Sequence, residues 1–120
     1  MPGSRHVRIV LGGATIADTQ RPQILLETGL PTRYYIPEQD IRMELLEPRG
    51  TTTRCPYKGK AVYWSARIGD KVFKDIVWSY RDPLPACAPV AKLLCFFNER
   101  VDAIYVDDEL LPRPKTLWSE

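Results

Sequence analysis

The chain has 120 residues, 44% of them apolar and 27% charged, and its 17 basic and 15 acidic side chains leave a formal charge of +2. That length is one domain, long enough to bury a core without disulfide staples, and so small a net charge gives no reason to expect nucleic acid or a membrane surface as partner. Eleven prolines, roughly twice the usual share, cut the chain into short pieces and exclude a long helix, and no apolar run reaches the length of a membrane span.

Residues 1–6 read as a flexible N-terminus without the apolar segment of a secretory signal. Val7 to Leu11 is a β-branched run, Gly12-Gly13 is a hairpin turn, and Ala14 to Thr19 is the returning strand, because paired glycines accept the positive φ that such turns need. Gln23 to Thr28 is a third strand, ended by Gly29-Leu30-Pro31. Arg33 to Ile36 is extended, since a residue before proline avoids the α region. Glu38 to Asp40 forms a turn or a single helical turn. Ile41 to Leu46 alternates and is expected to be a strand, with Glu47-Pro48-Arg49-Gly50 turning the chain back.

The next stretch organises the rest. Thr53 to Gly59 is a tight turn carrying Cys55, Tyr57 and Lys58, and it feeds a strand with Tyr63 and Trp64. Strand alternation puts Val62, Trp64 and Ala66 on one face and Ala61, Tyr63 and Ser65 on the other. A Gly69-Asp70 tip closes a hairpin with Val72 to Tyr80, which brings Trp78 and Tyr80 into the same sheet region. Arg81 to Pro85 breaks the strand. Leu93 to Phe97 is an apolar strand, Asn98-Glu99-Arg100 turns, and Val101 to Val106 is expected to pair back on it as a final hairpin. Residues 110–120 read as a loosely held tail. The fold class is therefore all-β, a single compact barrel-like domain over residues 7–109, with about eight short strands and at most one or two helical turns.

Four blocks together resemble a known family: Leu26 to Pro37; Cys55 to Gly59 with Tyr63-Trp64-Ser65; Val77 to Tyr80 with Asp82 to Pro85; and Phe96-Phe97 to Asp102. Their order and spacing, over roughly residues 7–109, resemble the domain of unknown function 427 family, also labelled nucleotidyltransferase-like. The resemblance implies the β-tent architecture, related in shape to methionine sulfoxide reductase B and Yippee-type domains. The nucleotidyltransferase label does not transfer, because the chain lacks a Gly-Ser pair leading to paired Asp residues and lacks a phosphate-cradling glycine loop. The family usually carries Glu after Asp-Pro-Leu-Pro, where this chain has Ala86-Cys87.

Many β-tent proteins hold zinc on four cysteines. Cys55, Cys87 and Cys95 contain no C-x-x-C pair, so no metal or other cofactor is expected. The odd, widely spaced thiols fit a reduced, cytoplasmic protein. Cys55 beside Arg54 and Lys58 is either a reactive thiol or a small residue filling a turn. Lys58, set among Tyr57, Tyr63 and Trp64, is either a desolvated base or a surface lysine lying on an aromatic ring. Glu27 and Arg33 are either an acid–base group and an anion clamp, or an ion pair that fixes the turn between them. Trp64, Trp78, Tyr80 and Phe97 are pocket wall, core, or both.

The expected function follows from these candidates. A small-molecule site would use Glu27, Lys58 and Tyr57 as catalytic groups, with Arg33, Tyr35, Trp64, Trp78 and Tyr80 holding the substrate. The reaction would be cofactor-independent acid–base chemistry of isomerase, cyclase, dehydratase or decarboxylase type on an anionic or polar metabolite. The alternatives are a non-catalytic aromatic cage for a metabolite or peptide, and a structural protein whose aromatics are plain core. An exposed edge strand could also pair two copies into a homodimer.

Overall fold

The computed structural model describes residues 5–26, 32–55, 59–83 and 90–112. Among these residues the chain forms strands and two 3-10 turns, and no longer helix. Two antiparallel sheets account for all the strands among the described residues.

The smaller sheet starts with β1 (Val7–Leu11) and β2 (Ala14–Thr19). The Gly12-Gly13 turn between them has φ of 60° and 82°, as a two-residue hairpin of this hand requires. On its other edge β1 pairs with β9 (Ala103–Val106), and β9 pairs with β10 (Glu109–Leu110). The sheet order is β10-β9-β1-β2.

The larger sheet has the order β3-β4-β8-β7-β6-β5. Its members are β3 (Gln23–Leu25), β4 (Arg33–Ile36), β5 (Leu46–Cys55), β6 (Gly59–Ile68), β7 (Lys71–Pro83) and β8 (Leu94–Phe96). The long β6–β7 hairpin turns at Gly69, whose φ is 59°. Opposite Ser65, β7 bulges: Asp75 takes a φ of 48°, and its N–H donates to Ser65 Oγ at 3.0 Å.

Five expectations are corrected, two of them by strand length: Thr53 to Cys55, read as turn, is the end of β5, and Arg81 to Pro83, read as a strand break, is the end of β7, both held by pairing with β6. Ile41 to Leu46 is not a strand: Ile41 makes a single bridge to Ala17, and Met43–Leu45 is a 3-10 turn. Alternating apolar residues over so short a run also suit a tight turn that hands Met43 and Leu45 to the core. Glu47 to Gly50 is not a turn but part of β5, with a register break between Pro48 and Thr52. Proline is tolerated there because β5 is an edge strand and needs fewer N–H donors. Val101 to Val106 does not pair back on β8. After β8 the chain crosses between sheets, with Val101 N–H bonded to Phe97 O and Asp102 N–H to Val10 O, and β9 joins β1.

Both ends of the described chain are tied down. Asp107 and Asp108 have φ of 53° and 67° and make the tight turn into β10, and Leu111 N–H bonds Ile104 O. Arg5 pairs with Asp107, and His6 contacts both Asp107 and Asp18.

The core lies between the sheets. Val7, Ile9, Leu11 and Ile16 of the small sheet meet Ile36, Trp64, Ala66, Val77, Leu94 and Phe96 of the large one. Because side chains alternate along a strand, the same strands of the large sheet point a second set outward: Tyr35, Ala61, Trp78, Tyr80 and Cys95. These residues form their own buried cluster with Val90, and Leu25, Tyr63, Leu93 and Phe97 pack around it.

Candidate functional site

The outward cluster is the candidate site. Register builds one row across the large sheet: Tyr35 opposite Cys95, Cys95 opposite Trp78, and Trp78 opposite Tyr63. The Trp78 indole N–H donates to the Tyr35 hydroxyl oxygen at 3.2 Å, with the rings edge to face at 6.2 Å. Phe97 packs on Trp78 with centroids 4.4 Å apart. Towards the Pro83 end, Tyr80 faces Ala61, and Lys92 N–H bonds Tyr80 O. At the β5 edge the Tyr63 hydroxyl and Thr53 Oγ1 share a hydrogen bond of 2.8 Å.

The opposite end of the row is charged. Arg33 Nη1 donates to Glu99 Oε1 at 2.7 Å and to Asn98 Oδ1 at 3.1 Å, and Nη2 donates to Glu99 Oε2 at 3.3 Å. Asn98 is fixed in turn by donating to Thr32 O at 2.8 Å. The Arg33 and Glu99 side chains are only 13% and 15% exposed. The guanidinium also lies over Trp78 at 5.1 Å and Phe97 at 5.8 Å. Arg100 approaches Phe97 at 5.3 Å while donating to the Lys74 and Asp75 carbonyls on the β7 bulge. The rings at this end therefore already carry the protein's own cations.

Two ionisable groups of this face are shifted by these surroundings. Burial pushes the Tyr35 phenol well above its ordinary range, and the neighbouring Cys95 and Tyr80 add to this. The Trp78 hydrogen bond and Arg33 oppose it without prevailing. Burial also pushes the Glu99 carboxyl up, but hydrogen bonds from Arg33 and its own backbone N–H, with the charges of Arg33 and Arg100, outweigh it and the net shift is downward. At neutral pH Tyr35 is protonated and Glu99 is ionised.

The predicted site residues are distributed as follows. Arg33, Tyr35, Trp78 and Tyr80 come together on the outward face. Trp64 does not join them: it is buried in the core between the sheets, because it adjoins Tyr63 in β6 and so points to the opposite side. Glu27, Tyr57 and Lys58 lie outside the described residues, as do Ala86 and Cys87. The anchors of their segments are described. Leu25 and Arg33, which flank residues 27–31, are paired, as are Cys55 and Gly59, which flank residues 56–58, and Gly59 pairs in turn with Pro83. Strand directions put the first anchor at one end of the face and the other two at the far end, roughly 20 Å away at about 3.3 Å per residue.

Sequence reasoning missed Asn98 and Glu99; it offered Glu27 as the ion-pair partner of Arg33 in one of two readings, and the partner of Arg33 among the described residues is Glu99. A signal was present: the turn Asn98-Glu99-Arg100 sits inside the fourth family-like block, immediately after Phe96-Phe97. Among the described residues, no cluster of His, Cys, Asp and Glu is arranged to hold a metal ion.

Residues 1–107 match the family model described as Domain of unknown function (DUF427). The chain belongs to the DUF427 family. Comparison with curated proteins finds no match.

Proposed function

We propose that the outward face binds a small polar metabolite against Trp78, and that the protein's own side chains move protons on it in a reaction of isomerase, cyclase, dehydratase or decarboxylase type. The Tyr35–Trp78 hydrogen bond supports this reading most. The indole N–H occupies the phenol oxygen as an acceptor, so the phenol proton is left to donate, and burial keeps that proton in place at neutral pH. A fixed neutral O–H beside an apolar wall suits a carbonyl or hydroxyl on a bound molecule.

The charged end of the face narrows the ligand. Ionised Glu99 neutralises Arg33, so an anion gains little there, and the ring faces of Trp78 and Phe97 that a cationic ligand would use already hold Arg33 and Arg100. The metabolite in this reading is uncharged where it meets Trp78 and extends towards Tyr80. Arg33 becomes a positioning residue that holds Trp78 and Phe97, and Trp64 supports the sheet from its inner side. Glu27, Tyr57 and Lys58 are the proton-transfer groups of the proposal, and a ligand centred on Trp78 lies between the anchors of their two segments.

The test is a ligand-observed NMR screen of a metabolite mixture, followed by incubation of each hit and analysis for product. Binding is expected to weaken about tenfold in Tyr35→Phe, the scale of one lost hydrogen bond. Turnover is expected to be lost in at least one of Glu27→Gln, Tyr57→Phe and Lys58→Ala. Hits that bind wild type without turnover would leave a binding module only. Hits that bind Tyr35→Phe and Trp78→Phe as tightly as wild type would remove this face as the site.

A further inference from the structure

We propose a second, separate ligand site between the two sheets, suited to a free α-amino acid with an apolar side chain. It starts from the alternation of β4. Tyr35 points to the outward face, so Tyr34 points to the other side, where it packs on the core between the sheets. Tyr34 there helps to line a cavity of about 330 Å³ with Arg5, Ile24, Val106, Glu109 and Leu111. That volume falls in the lower part of the range of small-molecule sites, roughly 300–1,000 Å³.

The lining sorts into two halves. Val106 is buried, and Ile24 and Leu111 are half-buried, so they make an apolar floor. Arg5 and Glu109 are exposed and stand at the mouth with opposite charges. Arg5 contacts Asp107 through Nη1 at 3.2 Å, which leaves other N–H donors of its five-donor fork available. Among the described residues no basic side chain pairs with Glu109. Burial raises the Tyr34 phenol, against the lowering effect of Arg5, so it stays a hydroxyl donor at neutral pH.

In this lining a cation and a hydroxyl receive a carboxylate, and the Glu109 carboxylate receives an ammonium. Both ligand charges must fit within one small cavity above an apolar floor. A single small zwitterion with a hydrocarbon side chain meets all three demands: its carboxylate on Arg5 and Tyr34, its ammonium on Glu109, and its side chain on Ile24, Val106 and Leu111.

Calorimetric titration of the full chain at pH 7 with L-leucine, L-valine and L-phenylalanine tests the site. At least one should bind with one-to-one stoichiometry. With L-leucine as the probe, 4-methylpentanoate lacks the ammonium and isopentylamine lacks the carboxylate, and each should bind about tenfold more weakly, as expected for one charge-assisted contact. Arg5→Gln and Glu109→Gln should each weaken binding about five- to tenfold with the melting temperature unchanged, since both side chains are solvent-facing. Leu111→Trp, which fills the cavity, should abolish binding in a folded chain. No binding of any of the three amino acids up to about 10 mM, the range of a weak ligand, overturns the proposal, as do analogues that bind like leucine or charge variants that bind like wild type. Tyr35→Phe and Trp78→Phe act on the outward face of the large sheet, opposite to Tyr34, and should leave amino-acid binding intact, so this site and the outward face can fail independently.

Discussion

Arg33 and Glu99 meet through two N–H···O contacts, 2.7 Å and 3.3 Å long, across 66 positions of sequence. Their pairing ties β4 to the crossover that follows β8, and through the guanidinium it presses on Trp78 and Phe97. Because both groups are largely shielded, removing one leaves the other poorly solvated. Arg33→Ala and Glu99→Ala should each cost about 2 kcal/mol of stability, with a coupling above about 1 kcal/mol in a double-mutant cycle. Urea unfolding of the four chains measures it; a coupling near zero would make the pair incidental.

Acid should reveal the same pair. The Glu99 carboxyl titrates below its unfolded value because Arg33 and the backbone N–H overcome the effect of burial. A depressed folded pKa gives stability that is complete above the unfolded value of about 4.3 and is lost as pH falls through the folded one. The urea midpoint of wild type should therefore fall below about pH 4.3, and the fall should be shallower in Glu99→Gln. Equal slopes in the two chains would contradict this.

Tyr35 has the opposite sign. Burial, chiefly, raises its phenol pKa, so its contribution is complete below the unfolded value of about 10 and is lost as pH rises through the folded one. Ultraviolet titration should show the same tyrosinate signal for folded wild type and Tyr35→Phe up to the point of alkaline unfolding. The substitution also strips the Trp78 indole N–H, in a residue only 7% exposed, of its acceptor, at a cost of about 1–3 kcal/mol.

Gly12 should resist replacement for two reasons. Its φ is 60°, and a Cβ added there would meet Ile68 side-chain carbons at 3.2 Å. Gly12→Ala should cost about 1–2 kcal/mol from the left-handed backbone alone, and the Ile68 contact adds to it. Gly13 has a φ of 82° and open space around it, so Gly13→Ala should be the milder of the two in thermal unfolding.

Local signals carried much of the fold. The Gly12-Gly13 and Gly69-Asp70 turns and the strands they join could be read because each depends on neighbours in sequence. The errors fall where distant contacts decide. Pro48 and Gly50 look like a turn, yet an edge strand absorbs them as a bulge. Val101 to Val106 looks like the partner of the strand before it, yet β1 claims it from the other sheet. The site divides in the same way. Alternation along β6 and β7 predicts that Trp64 and Trp78 face opposite sides once the register is known, but not that the small sheet covers Trp64. Glu99 was hidden because its partner Arg33 lies far back in the chain.

The central claim is that the face around Trp78 is where a ligand binds. Its most direct measurement is the indole N–H resonance of Trp78 in a ¹H–¹⁵N spectrum, assigned by Trp78→Phe and followed as a screened metabolite is added. That proton sits in the hydrogen bond to Tyr35, so a ligand on this face should move it in step with binding, and Tyr35→Phe should weaken the titration about tenfold. A metabolite that binds while the Trp78 resonance stays still, and that binds Tyr35→Phe equally well, would contradict the claim.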